Sequence, residues 1–261
     1  LLDAFELPQA TSRVMLNVSG ARAIETAWKA AVAFRPGKIV TIGPAFHGRS
    51  LATLALGQSL PLPPPQPFAH HVHCGHPDEY PYCAACPLKV QYPSCDLKCV
   101  SQVIETISKH AADISAVLVE PAIGARGIIV PPAEFFQRLR KVAQEHQILL
   151  IADEIQTGLG RFGHMSLASG QGWQPDLLVL GKSLGGGVVP ISAVLGRRDV
   201  LESLLVGTES ETFAASPLAT AVACEVLHQL QTGPWIEQGA KAGQRLRQVA
   251  EGCLANWQVT I

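Results

Sequence analysis

The chain has 261 residues, 48% of them hydrophobic, which is enough for a sizeable core in a globular domain. Its 20 basic and 21 acidic residues leave a net charge of −1 with no basic block, so nothing favours nucleic acid or an anionic membrane as a partner. No apolar run reaches the about 18 residues of a membrane span and no signal-peptide pattern is visible; seven cysteines without one suggest a reducing, cytoplasmic compartment.

The chain opens on a helix-like segment. Apolar runs at residues 14–18, 38–42, 116–119, 148–152, 177–180 and 191–195 predict strands. Helical periodicity at 21–34, 101–110, 133–145 and 217–230 separates most of them. Gly37 after the first helix and Pro131-Pro132 before the third are sensible stop and start signals. A last amphipathic helix is expected from about 234 to 254, with a strand beginning after it. This alternation predicts an α/β domain on a mostly parallel, doubly wound sheet. A Pro/His/Cys-rich insertion at about 58–99 breaks the pattern. It starts extended and proline-rich, passes through His70, His71, His73, Cys74 and His76, and ends with Cys83, Cys86, Cys95 and Cys99. The spacing CxxC, eight residues, CxxxC is compatible with a structural four-thiolate zinc site, the alternative being four thiols without metal.

Two strand ends carry candidate chemistry. Leu177-Leu178-Val179-Leu180 runs into Gly181-Lys182-Ser183-Leu184, then Gly185, Gly186 and Gly187. A lysine at the mouth of a buried strand is costly unless solvated, paired or covalently used, and a desolvated lysine amine forms Schiff bases with carbonyls. The glycines let backbone pass close to something bulky. A snorkelling lysine is the plainer alternative. Upstream, the apolar run before Asp153 should leave that carboxylate largely buried, in need of a cationic or hydrogen-bonding partner, or serving as a helix cap. Open α/β sheets bind ligands at the carboxyl ends of their strands, where Asp153 and Lys182 both fall on expected sheet neighbours.

The segments Asp153-Glu154-Ile155-Gln156-Thr157-Gly158-Leu159-Gly160-Arg161-Phe162-Gly163, Pro175-Asp176 and Gly181-Lys182-Ser183-Leu184-Gly185-Gly186-Gly187 closely resemble the signature of class III aminotransferases, which are fold-type-I pyridoxal-phosphate enzymes. Ser19-Gly20-Ala21-Arg22 resembles the family's phosphate-binding turn, and Phe46-His47-Gly48-Arg49 its cofactor-stacking segment. Glu120-Pro121 matches the next strand end, and Thr212-Phe213 the loop that reaches into the partner subunit. The resemblance implies a homodimer moving an amino group between a small-molecule donor, an amino acid or ω-amine, and an oxo-acid acceptor. It implies Lys182 as the covalent attachment and proton carrier, Asp153 on the pyridine nitrogen, and Gln156 on the phenolic oxygen. Phe46 would stack on the ring within a segment that includes His47, with Glu120 nearby. Gly20 and Ala21 would hold the phosphate with Thr212 of the other subunit.

The chain departs from this pattern where the family has a hydroxyl, here Ala21, and an acid, here Arg22, whose guanidinium could compensate. Many members carry a glutamate at the position of Ala125, next to Arg126, and its absence weakens an ornithine-like or 4-aminobutyrate substrate. A racemase or aminomutase would share Lys182 and Asp153, and a non-catalytic or metal-binding fragment is the reading from another class. The resemblance places residues 1–261 as a large cofactor-binding domain incomplete at both ends, expected to turn over little alone.

Overall fold

The structure is a computed structural model that describes residues 1–43, 45–57, 69–72, 92–125 and 127–254. A 3-10 turn at Asp3–Phe5 leads into β1 (Ser12–Asn17), α1 (Gly20–Phe34) and β2 (Lys38–Ile42). After α2 (Leu51–Leu56) and β3 (Ala69–Val72), the alternation resumes with α3 (Lys98–His110), β4 (Ile114–Val119), α4 (Ala133–Glu145) and β5 (Leu149–Asp153). A short α5 (Leu167–Gly170) precedes β6 (Leu177–Leu180), β7 (Ser192–Arg197) and α6 (Arg198–Leu201), and α7 (Pro217–Thr232) and α8 (Trp235–Leu254) close the described chain.

The strands form one seven-stranded sheet in the order β1-β7-β6-β5-β4-β2-β3. β3, β2, β4, β5 and β6 run parallel, while β7 pairs antiparallel with both β6 and β1. Strands buried on both faces read as unbroken apolar runs, and the side chains divide by alternation. Val117, Val119, Leu150, Ala152, Leu178 and Leu180 pack with Phe135, Phe136 and Leu139 of α4. Their neighbours Ala116, Leu118, Leu149, Ile151, Leu177 and Val179 pack with Ile24, Ala27 and Ala31 of α1 on the other face. This is the doubly wound arrangement expected from the alternating elements.

Asp176 pins the amino edge of the sheet. It is buried, sits 2.5 Å from Arg140 Nη1 on α4 and 3.2 Å from Arg197 Nη1 on β7, and accepts the Leu150 amide of β5 at 2.8 Å. Its backbone amide donates to Leu150 O and its carbonyl accepts from Arg197 N. The Pro-Asp motif therefore ties β5, β6, β7 and α4 together at the end opposite Lys182.

Two features differ from the sequence reading. β3 lies inside the stretch taken as an irregular insertion and forms the sheet's edge beside β2. The third helix starts at Lys98 rather than 101, so Cys99 falls in its first turn. Among the described residues, no helix is long and apolar enough to cross a membrane.

Phe136 is fully buried, stacked on Trp173 at 4.9 Å and edge-on to Phe135 at 5.2 Å between ring centroids. Phe136→Ala should destabilise the fold by about 3–5 kcal/mol through lost burial and the cavity left behind. Urea unfolding followed by circular dichroism measures this directly.

Candidate active site

β5 and β6 are parallel neighbours in a register that sets Asp153 beside Val179, so both strands release their chemistry at the same sheet edge. β5 ends at Asp153 itself, and β6 ends one glycine before Lys182. Lys182 opens a 3-10 turn with φ of 42°, a left-handed backbone uncommon for a residue with a side chain and typical of strained functional positions. The turn closes on Gly186, whose φ of 62° suits glycine. Facing this edge is the amino end of α1. Ser19 caps it, its hydroxyl accepting the Arg22 amide at 3.4 Å. The amides of a helix's first turn have no carbonyl partner within the helix, and its dipole favours an anion there.

A cavity of about 240 Å³ lies between these elements. Gly20, Ala21, Phe46, His47, Glu120, Asp153, Gln156 and Lys182 all line it, so the structure brings together every anticipated cofactor residue except Thr212. Gly48 and Ile155 complete the wall. Ile155 is an apolar side chain within the Asp153–Gln156 motif, and its packing against Gly20 leaves no room for a Cβ there (2.9 Å). Beyond the end of β5 at Asp153, Ile155 and Gln156 reach the cavity while Glu154 does not, and that turn has no periodic signature. A wider cavity of about 590 Å³ shares Gln156 and Lys182 and adds Ile128, Arg161 and Phe162.

The carboxylates around the cavity have separate tasks. Asp153 is buried, with His47 Nδ1 2.8 Å from its Oδ2 and the Ile155 amide donating to its Oδ1 at 3.1 Å. His47 is also buried, and its Nε2 has no hydrogen-bond partner among the described residues. Glu120 accepts the Phe46 amide at 3.1 Å, fastening the aromatic segment to the end of β4. Burial, reinforced by the nearby Asp153 charge, pushes the Glu120 carboxyl up to about 7 against the pull of His47 and two backbone amides. Glu154, the neighbour of Asp153 in sequence, faces away. It accepts from the Ser166 hydroxyl at 2.7 Å and from the Leu167 and Ala168 amides at 2.8 Å each, and burial raises its pKa.

Lys182 Nζ donates to Gln156 Oε1 at 2.5 Å. Partial burial lowers its pKa, and the nearby Arg161 charge adds to this, while Asp153 and Glu120 oppose it. Gln156 reaches this position because residue 124 is glycine: a Cβ there would meet its side-chain amide at 2.6 Å. Phe46 carries the Arg49 guanidinium 5.8 Å from its ring centroid.

Other anticipated residues stand apart. Thr212 is exposed on the loop before α7 and does not line the cavity. Arg22 does not compensate for Ala21 at the cavity: its guanidinium donates to Glu211 and, at 2.7 Å, to Glu25. Cys83, Cys86 and Arg126 lie outside the described residues. Cys95 is buried and Cys99 partly so, and neither is in a disulfide. Among the described residues no group of three or more His, Cys, Asp and Glu is placed to hold a metal, so the four-cysteine zinc expectation finds no support there.

The family model described as "Aminotransferase class-III" matches residues 4–256. The chain belongs to the class III aminotransferase family. Ornithine aminotransferase 1 of Staphylococcus saprophyticus is 34% identical over 237 residues, covering 87% of this chain and 55% of that protein. A PLP-bound amine transaminase from an uncultivated Pseudomonas species superposes with a TM-score of 0.84 at 28% identity, over 99% of this chain and 61% of that one. Ornithine aminotransferase from Toxoplasma gondii gives a TM-score of 0.74 at 32% identity, over 95% and 55%. This class III chain thus spans about half the length of such relatives.

The raised pKa of Glu120 sets a pH dependence. A carboxyl that holds its proton more tightly when folded contributes fully below its unfolded value, 4.5, and loses that contribution as pH rises through about 7. The stability of the protein relative to Glu120→Gln should therefore fall between these values, by about 2–3 kcal/mol at most. Chemical denaturation of both proteins across this range measures it, and parallel profiles would contradict the assignment.

Proposed function

We propose that this chain is the large cofactor-binding domain of a pyridoxal-phosphate-dependent aminotransferase that moves an amino group between an amino acid or ω-amine and an oxo acid. One observation carries the reading: a lysine amine, a buried carboxylate and the amino end of a helix face one another across a single small cavity. Relatives described as ornithine aminotransferase and as amine transaminase favour the same donor class.

The donor set suits the cofactor. The first amides of α1, at Gly20 and Ala21, would suit a phosphate and the Asp153 carboxylate a protonated ring nitrogen, while Phe46 and Ile155 supply apolar wall for a ring. When bound, pyridoxal phosphate supplies an aldehyde for covalent capture of amines and a ring that accepts electron density. Lys182 is the attachment point, and its lowered pKa leaves more of the amine neutral, able to attack and to take a proton at Nζ. Asp153 would keep a proton on the ring nitrogen, and His47 holds that carboxylate in place. Gln156 positions Nζ and would also hydrogen-bond the cofactor's phenolic oxygen. Glu120 fixes the backbone of Phe46. Substrate enters through the wider cavity beside Lys182.

The functional unit is a homodimer in a reducing cytoplasm. Leu205, Val206, Phe213 and Leu218 are each at least 70% exposed around Thr212, an apolar surface that calls for a covering subunit. Thr212 would then act on the partner's phosphate.

In the full-length protein, Asp153→Asn should retain cofactor binding and lose amino transfer by on the order of 100-fold, since the ring then lacks its electrostatic partner. Single-turnover kinetics with an amine donor and an oxo acid read this out. Wild-type turnover in that variant would contradict the role of Asp153.

A further inference from the structure

Arg22, one of the chain's departures from the resembled pattern, lies in a cluster of charged side chains beside the start of α1. Arg22 and Lys29 project from α1, and the loop before α7 returns to them with Glu209 and Glu211. The Arg22 guanidinium donates to Glu211 through Nε and to Glu25 through Nη1 at 2.7 Å, and its Nη2 lies 3.7 Å from Glu209. Lys29 Nζ donates to Glu209 at 2.6 Å, and the Thr26 hydroxyl donates to the same carboxylate at 2.5 Å. The Glu209 side chain is only 3% exposed and that of Glu211 only 10%. Glu211 also accepts the amide of Val18 at 3.0 Å, two residues before Gly20. Buried carboxylates persist only with such partners.

We infer that Arg22 is a positioning residue of the phosphate end of the site. It clamps Glu209 and Glu211, holds their loop against α1 with Thr212 one residue past the anchor, and cancels carboxylate charge beside the cradle. This rests on the reading of the cavity as a pyridoxal-phosphate site. Glu25, Glu209 and Glu211 gather around the first turns of a helix whose amino end should receive a phosphate. Among the described residues, Arg22 and Lys29 are the basic groups paired with them. An acid at residue 22 would be repelled by the carboxylates of this loop. Arginine at 22 and glutamates at 209 and 211 are a matched set.

The test compares pyridoxal phosphate with pyridoxal, which lacks the phosphate, by equilibrium binding to the wild type, Arg22→Glu and the charge swap Arg22→Glu/Glu211→Arg. Hydrogen exchange of the 205–213 amides is followed in the same proteins. Arg22→Glu should weaken pyridoxal phosphate by at least about tenfold, leave pyridoxal within about twofold, and speed exchange in the loop. The swap should recover most of both losses. Equal weakening of both compounds would mean general damage and overturn the inference, as would a swap that rescues neither property. If the wild type binds pyridoxal phosphate and Arg22→Glu binds it as tightly with an unchanged loop, the inference fails and the cofactor reading stands. A wild type that binds neither compound overturns the cofactor reading itself.

Discussion

A carboxylate at the end of a buried strand stays in a folded protein only where its surroundings supply hydrogen bonds or an opposite charge. Asp153 receives the Ile155 amide on one oxygen and faces the His47 imidazole with the other. Among the described residues that line the cavity, the Lys182 amine is the other basic group near Asp153. In the proposed reading, Asp153 would receive a positively charged guest. The remaining features follow from holding it there: β5 carries it to the sheet edge, α1 brings its amino end opposite, and β6 delivers Lys182 from the adjacent strand.

The two edges of the sheet divide the work. At the amino edge, Asp176 is bound by two arginines and a backbone amide, which locks β5, β6, β7 and α4 into one body. At the carboxyl edge the groups are poorly satisfied. Lys182 has a left-handed backbone, His47 Nε2 has no partner among the described residues, and Glu120 holds a proton far above its ordinary range. Unpaired and strained groups of this kind concentrate where a ligand is to be received.

Much of this was legible in the sequence, for physical reasons. Parallel strands covered on both faces must be continuously apolar, and β2, β4, β5 and β6 stand out for that reason. Polar residues placed just beyond such runs mark the carboxyl edge, and that rule located Asp153 and Lys182. Strand direction carries no periodic signal, so the antiparallel β7 was not distinguishable from its neighbours. β3 was hidden because its histidines read as part of a Pro/Cys-rich insertion. Asp153 and Glu154 are adjacent acids with opposite fates, and only the pleat, which sends successive side chains to opposite sides, separates a site residue from a helix cap. Glu211, a partner of Arg22, lies 189 residues away, beyond any local pattern.

The central claim is that Lys182 is the amine that captures the cofactor. Borohydride reduction of protein loaded with pyridoxal phosphate, followed by peptide mapping, addresses it directly. The account predicts the label on Lys182 and its loss in Lys182→Ala. Label on Lys29 or Lys141 instead, or undiminished labelling in the alanine variant, would contradict it.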